Sequence, residues 1–362
     1  MHSSDRQGSC GFRSRQHTGV THRSPPPDPM AESVRRRRIR GGFAAATLGG
    51  CHEGAKVVSV GGMRTDSDNW DINSGVGSTA LFVAAARALA ARQPEPVAVD
   101  PLADVFLRAV GGEWAELIDG APEQTSEHPL RGSEFGRNFT DYQGARTKYF
   151  DDYLLAACAD GIRQVVILAA GLDSRAYRLP WPDGVVVYEL DRAEVLDFKR
   201  EVLDAAGHKP RADRVEVAVD LRGDWLSALR HNGFDAERPT AWLVEGLLIY
   251  VTPAAQDQLF ETIVAASAPG SRAAIEQMEP LPDDAYATMR DADPVEGGGE
   301  WASLIYNEPR SDAAQWFPAH GWTATRTEVV DYLRAVGRPE AAEPSEAGFG
   351  TSLLNLVTVI AP

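Results

Sequence analysis

The strongest constraint on how this chain can fold is the alternation of short apolar runs with amphipathic segments between residues 164 and 277. Runs at 164–170, 185–190, 214–219, 240–245 and 271–277 have the length and composition of strands. The stretches between them, roughly 192–206, 222–231 and 254–267, read as helices. Strands and helices alternating at this spacing are joined by crossovers, so the strands lie parallel in one sheet wound on both faces. An α/β, Rossmann-like architecture is therefore expected. Within it, VVILAAGLDSRAYRLPWPDGVVVYELD (165–191) reads as strand, tight turn at Gly171, short helical patch, and a second strand ending on Asp191.

The rest of the chain frames that unit. STALFVAAARALAAR (78–92) reads as a helix capped by Ser78, ADVFLRAV (103–110) and the segment after Gly112 as short helices, and YQGARTKYFDDYLLAACADG (142–161) as a longer helix ending at Gly161. Residues 279–320 lack a strand pattern but hold Met289, Trp301, Tyr306 and Trp316, which suits a helical insertion or lid over a substrate pocket. A helix near 327–336 and an apolar strand, LLNLVTVIA (353–361), close the chain. Residues 1–62 have neither periodicity, and carry SPPPDP (24–29) and RRRRIR (35–40). They are expected to be a disordered basic tail or a gene-model extension upstream of Met63, with residues 63–362 forming a single domain.

Charge follows the same division. Residues 1–62 hold ten Lys or Arg against four Asp or Glu, while the remaining 300 hold 26 against 48. So acidic a body repels phosphate backbones, which argues against nucleic acid as a partner. The three cysteines, Cys10, Cys51 and Cys158, form neither a C-x-x-C pair nor a Cys/His cluster, so no metal site or disulfide framework is expected. No apolar run approaches the roughly 18 residues of a membrane span, and no secretory signal is visible. A soluble, cytoplasmic protein is expected.

At the tip of the second strand, Asp191 stands 20 residues beyond Gly171. In an open parallel sheet an acid there can hold the hydroxyl pair of a ribose, although it could equally cap the next helix. VEVAVDL (215–221) also ends on an acid, Asp220, so two neighbouring strands bring two acceptors to one crevice. Asp220 can take the exocyclic amine of an adenine, with Leu221 packing on the ring or lending its backbone amide. The turn reads A-A-G-L-D-S-R and lacks G-x-G-x-x-G, which weakens the case for a dinucleotide. Glu245 lies inside the apolar run AWLVEGLLIYV (241–251) and needs a cationic partner, either an ammonium on a ligand or a nearby Arg. Arg146, on the helix leading into the first strand, can bind a ligand carboxylate or simply face solvent. Two adenosine acceptors, an acid for an ammonium and a base for a carboxylate match S-adenosyl-L-methionine better than NAD. The eight histidines form no triad or ligand cluster, and there is no G-x-S-x-G and no P-loop.

The stretches RTKYFDDYL (146–154), VVILAAGLDSRAYRL (165–179), VYELD (187–191), VAVDLRGDW (217–225) and PTAWLVEGLLIYV (239–251) resemble the actinobacterial S-adenosylmethionine-dependent methyltransferases related to leucine carboxyl methyltransferases. The resemblance runs from about Met63, where MRTDSDNWDI is similar to the opening of family members, to the C-terminus. It implies a class I methyltransferase fold: seven strands, the last antiparallel, with extra N-terminal helices and a helical insertion. It also implies that Asp191 binds the ribose, Asp220 and Leu221 the adenine, Gly171 the methionine side, Arg146 its carboxylate, and that Glu245 lies near its amino group. GVGSTALF (75–82) lacks the lysine that eukaryotic members carry near the first helix, which argues against a protein carboxylate as acceptor. The expected activity is methyl transfer to an oxygen of a small or lipid-like carboxylate or hydroxyl acceptor. An NAD(P)-dependent oxidoreductase and a catalytically idle binding protein of the same fold are the alternatives.

Overall fold

The computed structural model describes residues 75–291, 298–339, 341 and 350–362. The expected tail over 1–62, with Cys10 and Cys51, and the stretch following Met63 up to residue 74 lie outside the described residues. Seven strands are present among those described: β1 (Gln164–Leu168), β2 (Val186–Asp191), β3 (Asp213–Ala218), β4 (Thr240–Val244), β5 (Arg272–Met278), β6 (Thr323–Glu328) and β7 (Leu354–Ile360). They form one sheet in the order β3-β2-β1-β4-β5-β7-β6. The first five run parallel, and β7 lies antiparallel between β5 and β6. This is the sheet that the resemblance implies.

The helices are α1 (Gly75–Ala90), α2 (Ala103–Val110), α3 (Gly112–Asp119), α4 (Pro129–Gly132), α5 (Glu134–Ala159), α6 (Arg175–Arg178), α7 (Ala193–Ala205), α8 (Trp225–His231), α9 (Pro253–Ala265), α10 (Asp283–Asp291), α11 (Gly298–Leu304), α12 (Ala313–Ala319) and α13 (Val329–Ala335). The central strands read as unbroken apolar runs because both of their faces are covered. Val165 and Ile167 of β1 join a core containing Leu81, Phe106, Phe150 and Leu154 from α1, α2 and α5. Val166 and Leu168, pointing the other way, join a core containing Trp225, Leu229, Phe260 and Phe317 from α8, α9 and α12.

Two helix boundaries and one strand differ from the pattern read in the sequence. Helix α1 begins at Gly75, so Ser78 lies inside it rather than capping it. The long helix α5 begins at Glu134, eight residues earlier than the apolar pattern indicates, where the Ser133 hydroxyl accepts from the Gly136 N–H at 2.9 Å. Strand β6, TATRTE, is the one strand of the implied seven that the apolar pattern does not locate: it is an edge strand paired only with β7, and half-buried or exposed throughout, so it carries no apolar signature.

The insertion between β5 and β6 is helical, as expected. Its α11 packs against α1 and α10, the Trp301 indole N–H donates to the Tyr250 hydroxyl at 3.2 Å, and the Tyr306 N–H donates to the Ile249 carbonyl at 2.9 Å. The segment thus lies over the chain that follows β4. Among the described residues no helix is long and apolar enough to cross a membrane, and no group of His, Cys, Asp and Glu could hold a metal. Cys158 is a free, buried thiol whose burial pushes its pKa up to about 11.

Candidate active site

In an open parallel sheet the loops at the carboxyl ends diverge where the strand order reverses, leaving a crevice for a ligand. Here the order reverses between β1 and β4. Gly171 follows β1, Asp191 ends β2, Asp220 and Leu221 follow β3, and Glu245 follows β4. The sequence candidates thus stand in the row 220–191–171–245 across one edge of the sheet, with the reversal between the last two.

The turn after β1 has a constrained backbone. Ala169 adopts φ +52° and Gly171 φ +45°, and a left-handed alanine is uncommon enough to mark a site held in shape by its surroundings. The Ala170 N–H donates to the Leu190 carbonyl at 2.9 Å, and the Gly171 N–H to Asp191 Oδ2 at 2.7 Å. Asp191 Oδ1 accepts from the Arg192 N–H, also at 2.7 Å. Each carboxylate oxygen therefore keeps a second lone pair. Burial raises the Asp191 pKa, against the opposing hydrogen bonds from Gly171 and Arg192.

Asp220 is placed differently from the expectation that it ends its strand. Strand β3 stops at Ala218, and Asp220 is an exposed residue in the following turn. Its carboxylate takes the Arg222 N–H at 2.9 Å and the Arg222 guanidinium Nη2 at 2.6 Å, which hold its pKa down at about 2. Arg192, just past β2, comes within 3.9 Å of it, so the two acidic turns are neighbours. Leu221 is half-buried against the core containing Trp225 and Trp242.

The two open questions about Glu245 and Arg146 have one answer: they face each other. Arg146 is buried, not solvated, with its Nε 3.1 Å from Glu245 Oε1. Arg175 Nη1 donates to Glu245 Oε2 at 2.7 Å. The cation that Glu245 requires is thus supplied by the protein, twice. Glu276 was not expected. It lies in the carboxyl half of β5, is 8% exposed, and takes Arg146 Nη1 on both oxygens, at 2.8 and 3.1 Å. It also accepts from the Tyr142 hydroxyl and, at 2.6 Å, from the Gly246 N–H. Gly246 has φ +63°, and a Cβ there would stand 3.6 Å from Arg146 Nη1. Although burial alone would lower the Arg146 pKa, Glu276 and Glu245 outweigh it and raise it.

The cluster continues beneath the turn. Arg175, 1% exposed, also pairs with Asp151 at 2.7 Å and with Asp173. Burial disfavours charge on Asp173, but Arg175 and Lys199 prevail and hold its pKa at about 2. Arg178 binds Asp151 through two nitrogens, and Arg87 lies 3.3 Å from the buried Asp100. Arg178 approaches Asp100 at 3.8 Å. Four guanidiniums (87, 146, 175, 178) thus meet five carboxylates (100, 151, 173, 245, 276), and Lys199 adds a fifth cation beside Asp173.

A seven-stranded sheet in the order 3-2-1-4-5-7-6, with acids and a left-handed turn along its carboxyl edge, defines a class I methyltransferase fold. Residues 80–264 match the leucine carboxyl methyltransferase family. A Mycobacterium sp. (strain KMS) protein, named "Putative S-adenosyl-L-methionine-dependent methyltransferase", is 55% identical over 297 residues, spanning 82% of this chain and 99% of its own. A Mycobacterium tuberculosis (strain ATCC 25618 / H37Rv) protein of similar name is 55% identical over 291 residues, spanning 79% of this chain and 95% of its own. Among solved structures, the S-adenosylmethionine-dependent methyltransferase SibL is similar at 17% identity with a TM-score of 0.35, over 72% of this chain and 74% of that one. The chain belongs to the leucine carboxyl methyltransferase family, and it is an S-adenosylmethionine-dependent methyltransferase.

Proposed function

We propose that this enzyme moves the methyl group to an oxygen of a small or lipid-like carboxylate or hydroxyl acceptor, with the row 220–191–171–245 and Arg146 holding the donor. The observation that carries this reading is the row itself, set at the strand-order reversal. Asp191 keeps a free lone pair on each oxygen for the two ribose hydroxyls. Asp220 and Leu221, one turn away, suit the adenine. Arg146 Nη2 has no acceptor among the described residues, and Nε makes no hydrogen bond despite its approach to Glu245, which suits a ligand carboxylate.

When bound, S-adenosylmethionine supplies an activated methyl, which the acceptor oxygen takes in line as the C–S bond breaks and its electron pair stays on sulfur. The protein's share is positioning and exclusion of water, which the insertion over the chain that follows β4 is placed to give. A carboxylate acceptor needs no base, whereas a hydroxyl must lose its proton. The test is transfer of labelled methyl to a panel of carboxylates, hydroxyls, amines and thiols. Label released by mild alkali marks a methyl ester and alkali-stable label an ether. Transfer confined to nitrogen or sulfur acceptors would reject the oxygen assignment. An oxidoreductase reading has less support, because the turn lacks the glycine signature and Asp220 adds a second acid.

The raised Asp191 pKa carries a sign. Its folded value lies above the ordinary 3.9 or so, so this group alone favours the folded state at low pH, and that contribution is lost as pH rises through the folded value. Ribose hydroxyls donate to the ionised form, so affinity for S-adenosylhomocysteine should rise through the same window. Calorimetry across the acid range should show that rise in the wild type and its absence in Asp191→Asn.

A further inference from the structure

We propose that Glu276, together with Tyr142, is a positioning residue for the methionine end of the cofactor, acting through Arg146. This rests on the reading of Arg146 given above and goes beyond it. Glu276 sits on β5, one strand beyond the row 220–191–171–245, and does not itself stand at a strand end facing the adenosine.

What it does is fix the guanidinium. A lone arginine on a helix has several rotatable bonds, and a ligand that must order it loses that side-chain entropy on binding. Here Nη1 is held by both Glu276 oxygens, at 2.8 and 3.1 Å, and Nε faces Glu245. The plane of the group is thereby set, and Nη2 is the nitrogen left over. Glu276 is fixed in turn from two sides: by the Tyr142 hydroxyl, one helical turn before Arg146 on α5, and by the Gly246 N–H at 2.6 Å. Tyr142 is 1% exposed and its guanidinium neighbour Arg146 lies 5.8 Å from the ring centroid, so the ring also packs against the group it orients. The left-handed Gly246 (φ +63°) turns its N–H toward this carboxylate immediately after Glu245. Three elements, α5, the loop after β4, and β5, therefore converge on one carboxylate whose remaining function is to present Arg146.

The proposal separates two halves of the ligand. S-adenosylhomocysteine carries the amino-acid carboxylate and ammonium, and 5′-deoxy-5′-methylthioadenosine carries the same adenosine and sulfur with neither. Both are titrated into the full chain by calorimetry, with thermal unfolding recorded for each variant. Glu276→Gln should weaken S-adenosylhomocysteine by roughly tenfold, as expected when a charged hydrogen-bonding partner is lost, and leave methylthioadenosine unchanged. Tyr142→Phe, which keeps the ring and removes only the hydroxyl, should show the same split with a smaller loss, and it serves where Glu276→Gln folds poorly. A parallel loss of both ligands, or no loss of either, would overturn the positioning role and leave Glu276 as a structural ion-pair partner. Failure of the wild type to bind either ligand is a different result, and would overturn the assignment of the site itself.

Discussion

Arg175→Ala should lower the unfolding free energy by roughly 3–5 kcal/mol, the range for removing one partner from a buried charge cluster. Arg175 is 1% exposed and is the shared cation of Asp151, Asp173 and Glu245. Asp173 is buried, and its pKa of about 2 reflects attraction by Arg175 and then Lys199 overcoming the penalty of burial. Without the guanidinium these carboxylates keep fewer donors, and the buried Asp173 loses the largest attraction that holds it ionised. Equilibrium urea unfolding at neutral pH measures the loss. The deficit should narrow on acidification, because Asp173 loses its stabilising contribution as pH falls from about 3.9 toward 2 in the wild type. A variant as stable as wild type would mean that water reaches the cluster and that its ion pairs contribute little.

The second large effect concerns binding. Asp191→Ala should weaken S-adenosylhomocysteine by about 1–3 kcal/mol, through the loss of charge-assisted hydrogen bonds to the ribose. It also removes the acceptor of the Gly171 N–H, at 2.7 Å, so the left-handed turn loses one of its anchors. Methylthioadenosine should suffer as much as S-adenosylhomocysteine, since both carry the ribose. That parallel loss is the opposite of the split expected for Glu276→Gln, so the pair of variants tests whether the crevice has an adenosine end and a separate amino-acid end. An unchanged dissociation constant for Asp191→Ala would reject its role.

The contrast between β1 and β6 shows which parts of the fold the sequence could reveal. Strand β1 is buried along its whole length and reads QVVIL; β6 reads TATRTE, because an edge strand paired on one side need not be apolar. Helix α5 was legible from Tyr142 onward, but its first turns, EFGRNFTD, depend on the Ser133 cap and on packing that no short-range period encodes.

In the site, Gly171 and Asp191 were legible because a strand end fixes where they must be, and the structure joins them by a hydrogen bond. Glu245 was legible as an acid in an apolar run, yet the identity of its cation was not, since Arg146 and Arg175 come from segments 99 and 70 residues away in sequence. Glu276 was missed although the same signal was present: AAIEQM places a carboxylate in a strand buried on both sides. Glu189 in VVYELD is a third case, fully buried between Lys199 at 2.8 Å and Arg214 at 2.6 Å. An acid inside a strand of this sheet therefore signals a buried ion pair, and the partners it finds come from elements distant in sequence. Glu189 pairs with Lys199 and Arg214, whereas Glu276 accepts from Arg146 and from the Gly246 N–H in the chain beyond β4.

The account stands most directly on which nucleoside ligand the wild-type crevice takes. Calorimetric titration of the full chain with S-adenosylmethionine, S-adenosylhomocysteine and NAD, under one buffer, decides it. Saturable one-site binding of both sulfur ligands, with no heat from NAD, is the predicted result. Binding of NAD in preference, or no binding of either sulfur ligand, would contradict it.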